Sequence, residues 1–201
     1  MTRLLYDMQG EENLLPDGKP VIYVANHQSC IDISVVYRVD RKFAWVSKSS
    51  VFTVPGVGII MRLARYISIT RGSSESGQQM MADCQRCLES GYSVVFFPQG
   101  TRRRYKILDF KHGAFTLAAK MKIPVVPLTI DLPETVWLWG CKETPRLVVH
   151  EPIMPDDKLF EDVSALQQHS FKVVVNGLKY GPSMLQQQQE SKLAEEPKKA
   201  K

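Results

Sequence analysis

Residues 25–32 read ANHQSCID, with His27 and Asp32 separated by four residues directly after the apolar run VIYV. An imidazole at the end of a buried strand can accept a proton. An aspartate on the first turn of the helix that follows can fold back onto the other ring nitrogen, and such a pair makes a positioned general base. It need not activate a nucleophile of the protein, because the hydroxyl it deprotonates could belong to a substrate. Ser29 is close in sequence but equally suits a helix cap. The same stretch also reads as a strand-end histidine beside a solvated aspartate, and the spacing alone does not choose between them.

A second stretch, FFPQGTRR at 96–103, has the make-up of an anion-binding loop. A buried strand stops at Pro98, Gly100 permits a tight backbone, Thr101 offers a hydroxyl, and Arg102 offers a guanidinium fork that suits phosphate. Read alone, it is also a basic solvated loop. No Walker-type string occurs. Arg71, in ISITRGS, follows a strand end as well and could converge on the same side of a sheet as His27 and Arg102. Lys111, in DFKHGAF, adds charge near the start of the next helix or is simply solvated. His112, His150 and His169 have no aspartate five residues on, and no spacing suggests a metal site.

These residues need a scaffold. PVIYVA, FAWVS, YISIT, YSVVFFP, IPVVPLTI and RLVVHEP read as buried strands. CIDISVVYRV, GVGIIMRLARY (with Arg62 and Arg65), residues 77–90 and GAFTLAAKM read as helices, and Gly91 fits a helix C-cap. Near-continuous apolar strands alternating with helices predict an α/β fold, a mostly parallel sheet covered by helices on both faces, with the polar loops at the strand ends as the site. The 201 residues, 44% apolar and 23% charged, suit a single domain over residues 1–182. The stretch 183–201 is a low-complexity polar tail expected to be disordered.

Composition narrows the function classes. The net charge of +5 is uneven, with Arg62, Arg65, Arg71, Arg102, Arg103, Arg104, Lys106 and Lys111 near apolar segments, which suits an anionic ligand or membrane surface and equally a solvated face. RRRYK comes without a recognition helix or an aromatic ladder, so nucleic acid is not an expected partner. Cys30, Cys84, Cys87 and Cys141 form no disulfide framework, which suggests a reducing compartment. Met80, Cys84, Cys87 and Leu88 share one helical face, so the C-x-x-C is expected to be core. No signal peptide opens the chain and no apolar run reaches the roughly 18–20 residues that span a bilayer, so membrane contact is expected to be peripheral. GVGIIMRLARY and TVWLWGC are the candidate patches, with buried core the alternative for each.

The motifs taken together resemble the glycerolipid acyltransferases that acylate lysophosphatidic acid or glycerol 3-phosphate. NHQSCID is similar to their N-H-x-x-x-x-D block, YISITRGS to the block with its arginine, FPQGTRR to F-P-E-G-T-R, and IPVVPLTI to the last block with its proline, in the same order, over residues 9 to 155. The resemblance implies that His27 takes the proton from a glycerol hydroxyl as it attacks an acyl thioester, and that Asp32 orients the histidine. It assigns Arg71, Gly100, Thr101 and Arg102 to the acceptor phosphate and gives Pro127 a part in shaping the acyl site.

The implied reaction moves an acyl group from acyl-CoA or acyl carrier protein to the sn-2 hydroxyl of lysophosphatidic acid, giving phosphatidic acid in phospholipid biosynthesis. It needs no cofactor and no metal. Glycerol 3-phosphate or another lysophospholipid is the alternative acceptor. The implied setting is a peripheral place on a membrane, at a reducing cytosolic or stromal face. One departure stands out. Gln99 occupies the place of the family's glutamate, so a carboxylate that could pair with Arg102 is missing, and a catalytically impaired lipid-phosphate binder is the rival reading.

Overall fold

In the computed structural model the described residues are 7–70, 72–103, 107–133, 144–181 and 183. They contain seven strands: β1 Asp7–Gln9, β2 Ile22–Ala25, β3 Phe43–Lys48, β4 Ile67–Ile69, β5 Ser93–Phe96, β6 Val125–Asp131 and β7 Arg146–Val149. Five α-helices accompany them: α1 Ile31–Val36, α2 Val57–Leu63, α3 Ser74–Glu89, α4 Gly113–Met121 and α5 Val163–Gly177.

The strands form one sheet in the order β1-β7-β6-β2-β5-β3-β4. Every neighbouring pair is parallel except β6–β7, so the fold is the expected mostly parallel α/β sheet. Parallel strands bury both faces, and the alternation along each strand feeds two cores. Ile22, Val24, Val94, Phe96 and Val125 point to one side, where they meet Met80, Cys84 and Leu88 of α3, Phe115 of α4 and Leu166 and Val174 of α5. Tyr23, Ala25, Trp45, Val95, Val126 and Leu128 point to the other, against Val35 and Val36 of α1. The C-x-x-C reading as core holds: Cys84 is fully buried, and burial pushes its thiol well above the ordinary range; Cys87 is half-buried and shifts the same way.

Several bounds differ from the sequence reading. Helix α3 starts at Ser74 rather than 77, because the Ser73 side chain accepts the Ser76 N–H at 3.0 Å and caps it there. It ends at Glu89, one residue before the expected 90, with Ser90 as the cap and Gly91 at φ +82° just beyond. Arg65 lies outside α2, with φ +58°. Two elements carry no clear periodicity in the sequence. Strand β1 is only DMQ, an edge strand paired with β7. Helix α5 contains the β-branched run Val173–Val175, which local preference would place in a strand. It is helical because Leu166, Ser170 and Val174 bury one face and Asp162 caps its start, accepting the Ser164 N–H at 2.8 Å. Among the described residues no helix is long and apolar enough to cross a membrane. The patch candidate TVWLWGC and nearly all of the tail, residues 184–201, lie outside the described residues.

Candidate active site

Strands β2, β3, β4 and β5 are mutually parallel, so the segments that follow them leave from one edge of the sheet. Segment 26–30 follows β2 and segment 97–103 follows the adjacent β5. Three hydrogen bonds fix the first segment. Asn26 is buried and exchanges two with the backbone of Ile130, donating from Nδ2 to its carbonyl and accepting its N–H at Oδ1, both at 2.8 Å. Gln28 Nε2 donates to the same carbonyl at 3.1 Å. The strand end is thereby clamped on both sides of His27.

His27 Nδ1 lies 2.7 Å from Asp32 Oδ2. Asp32 is wholly buried, and the same oxygen accepts the Gln28 N–H at 2.7 Å and the Ser29 N–H at 2.9 Å. Three donors converging on one carboxylate oxygen offset part of the cost of burying a charge. Oδ1 is buried with no partner among the described residues. A carboxylate only accepts, so the ring proton sits on Nδ1 and Nε2 carries a free lone pair. The His27 side chain keeps 13% of its surface exposed, enough to receive a proton from outside. Its imidazole stacks on Phe97, with ring centres 3.9 Å apart and planes 10° apart, and Phe97 stacks in turn on Trp45 at 5.2 Å. One face of the imidazole is therefore covered and its rotation resisted, a contact worth about 0.5–1.5 kcal/mol.

The second segment grips the first. Gln99 is buried, and its Oε1 accepts the His27 N–H at 2.6 Å; the Arg103 N–H donates to the His27 carbonyl at 2.9 Å. Both backbone groups of His27 are thus satisfied by the FPQGTRR segment, and the dyad and the basic loop are a single unit. The expectation that position 99 serves Arg102 changes accordingly. Its acceptor oxygen is engaged with His27, while Arg102 is exposed. Gly100 adopts φ +72°, and a Cβ there would come within 3.1 Å of Lys111 Nζ. The position needs glycine for its backbone, and the Lys111 ammonium lies over the loop. The Lys111 N–H also donates to the Pro98 carbonyl at 3.0 Å.

The remaining expected residues fall as follows. Thr101 is half-buried, next to Arg102. Arg71 lies outside the described residues; its neighbour Thr70 directly follows β4, with Oγ1 donating to Ser49 Oγ at 3.1 Å. Pro127 is inside β6 opposite Val24, and its carbonyl accepts the His150 N–H at 3.0 Å. Among the described residues no cluster of histidine, cysteine, aspartate and glutamate could hold a metal ion. Sequence reasoning missed Asn26, Phe97 and Trp45. Asn26 is polar directly after four fully buried strand residues, and that is the signal that could have marked it.

A family model described as Acyltransferase matches residues 6–131. A 1-acyl-sn-glycerol-3-phosphate acyltransferase of Chlamydomonas reinhardtii is 43% identical over 165 residues, 79% of this chain and 50% of that protein. A chloroplastic protein of the same name from Brassica napus is 34% identical over 73% of this chain and 44% of its own length. The chain thus spans about half the length of these relatives. Among solved structures, the 1-acyl-sn-glycerophosphate (LPA) acyltransferase PlsC from Thermotoga maritima superposes with a TM-score of 0.63 at 26% identity, covering 83% of this chain and 70% of that one.

Proposed function

The chain belongs to the glycerolipid acyltransferase family, and from that premise we propose that it transfers an acyl group from an acyl thioester to the sn-2 hydroxyl of lysophosphatidic acid, forming phosphatidic acid. The observation that carries the reading is the His27–Asp32 pair, with its backbone held by the FPQGTRR segment. His27 Nε2 takes the proton of the sn-2 hydroxyl as that oxygen attacks the thioester carbonyl. Asp32, 2.7 Å from Nδ1, stabilises the imidazolium that forms. The tetrahedral intermediate collapses, the C–S bond breaks, and the departing thiolate recovers the proton from Nε2 and leaves as a thiol. No protein nucleophile and no resident cofactor are involved; acyl-CoA or acyl carrier protein enters as co-substrate.

Arg102 and Lys111 hold the acceptor phosphate, Gly100 and Thr101 shape the loop that presents them, and Arg71, outside the described residues, is the further phosphate ligand. Pro127 bears on the acyl site through the course of β6. The rival reading, a silent lipid-phosphate binder marked by Gln99, loses its main support because a neutral amide oxygen can accept the His27 N–H as a carboxylate would. Acceptor and product are both amphiphiles, so the enzyme works peripherally at a bilayer. The test is incubation of labelled acyl-CoA, and separately of labelled acyl carrier protein, with lysophosphatidic acid, glycerol 3-phosphate and lysophosphatidylcholine. Diacyl product from lysophosphatidic acid is expected. Acylation of glycerol 3-phosphate alone, or of nothing by a folded protein, overturns the reading.

A further inference from the structure

Helix α2 is an apolar segment that the fold barely uses. Only Gly58 and Met61 are buried, while Ile59, Ile60 and Leu63 are 60%, 66% and 79% exposed, and Val54 and Val57 just before and at its start are exposed too. A contiguous aliphatic surface of this kind on a small domain marks an interaction site. The segment that carries it has one sign of charge. From residue 41 to residue 74 the chain holds Arg41, Lys42, Lys48, Arg62, Arg65 and Arg71 and no aspartate or glutamate. Lys48, Arg62 and Arg65 of this segment are exposed.

The patch is also tied to the site. The 3-10 turn Ser49–Val51 that leads into α2 follows the end of β3, at the edge from which His27 also leaves. On the far side Tyr66, just after α2, meets the Tyr37 hydroxyl next to α1, the helix that carries Asp32.

We propose that α2 and the turn before it are the surface on which the chain rests on an anionic bilayer, with the aliphatic side chains entering the acyl boundary and Arg62, Arg65 and Lys48 pairing with lipid phosphates. Self-association through the same face is disfavoured, because a symmetric pair would bring two segments of like charge together. The proposal rests on the reading of the site as one for a lysophospholipid: it places the edge that holds His27 at the interface, so that the acceptor reaches the base without leaving the membrane entirely. Basic residues at an anionic surface and buried aliphatic area add in such docking.

The test uses the full chain and vesicles of phosphatidylglycerol or phosphatidylcholine in a sedimentation assay. The wild type should bind phosphatidylglycerol vesicles, and more weakly as salt rises. The double variant Ile60→Ser/Leu63→Ser should lose about tenfold in partitioning for each side chain removed. Arg62→Glu should lose affinity for phosphatidylglycerol but not for phosphatidylcholine. Both variants should acylate a short-chain, monodisperse lysophosphatidic acid at the wild-type rate while failing on the same headgroup embedded in vesicles. Absence of wild-type binding to phosphatidylglycerol vesicles, or equal binding by the double variant, overturns the proposal. So does a change from dimer to monomer in the double variant with vesicle binding unaltered. Vesicle binding without transfer to any acceptor would sink the transferase reading instead, whereas transfer to the monodisperse acceptor without vesicle binding would sink the docking surface alone.

Discussion

Replacing Asp32 by asparagine removes a charge with almost no change in shape, and the surroundings dictate how the amide must sit. Three donors, from His27, Gln28 and Ser29, aim at the Oδ2 position. Placing the NH2 group there would oppose three N–H groups, so the amide oxygen takes that place and the NH2 occupies the Oδ1 position, which has no partner among the described residues. The hydrogen bonds survive in neutral form, and the fold should remain intact with a modest drop in melting temperature. Catalysis should suffer far more. The centre of an imidazolium bonded to Oδ2 lies roughly 4 Å from the carboxylate charge, and at an effective dielectric near 20 the lost attraction is about 4 kcal/mol. That corresponds to a fall in kcat of about 10³-fold. Steady-state kinetics with acyl-CoA and lysophosphatidic acid should show this loss with KM for both substrates little changed. A kcat within about threefold of wild type in a folded Asp32→Asn protein would refute the idea that Asp32 stabilises charge on His27.

Gln99→Met leaves the part-buried His27 N–H without its acceptor, which should cost about 1–3 kcal/mol of stability and, by loosening the base, lower kcat, whereas Gln99→Glu should keep the bond and at least the wild-type kcat/KM; loss of activity in both would mean that the amide has another role. Arg102→Ala should raise KM for the phosphate-bearing acceptor by about 10-fold or more while KM for the thioester stays put, and equal changes in both would remove Arg102 from the acceptor site. His150 contributes acid sensitivity. Burial, and then nearby Arg146, hold its pKa below the ordinary 6.5, so below that pH the unfolded chain binds a proton that the folded one resists; stability should be intact above pH 6.5 and fall as pH drops. The melting temperature of His150→Gln should therefore decline less between pH 7.5 and 5.5 than that of the wild type, and parallel declines would contradict this assignment.

The alternating sheet and helices were legible because each buried strand is a short apolar run bounded by turn residues, as in VIYVANH and SVVFFPQG. Helix α4 matched the reading GAFTLAAKM to the residue. Helix α5 was not legible, since three consecutive valines argue locally for a strand and only tertiary burial of Leu166, Ser170 and Val174 settles the matter. The site divides in the same way. His27 and Asp32 could be found because their spacing is local and both lie around one helix start. The partner of Gln99 could not, because the bond from the His27 N–H joins positions 72 apart in sequence, and a sequence does not state which backbone group a buried amide will meet. The cover that Phe97 gives to the imidazole was hidden for the same reason, since Phe96 and Phe97 look equivalent until the sheet sends one to each side.

Transfer depends above all on Nε2 of His27 removing the proton from the acceptor hydroxyl. The direct measurement is formation of phosphatidic acid from labelled acyl-CoA and lysophosphatidic acid by the wild type and by His27→Ala, with circular dichroism to verify the fold of each. Robust transfer by the wild type is expected, with a loss of about 10²- to 10⁴-fold in the variant and folding unchanged. Transfer by a folded His27→Ala protein at the wild-type rate would contradict it.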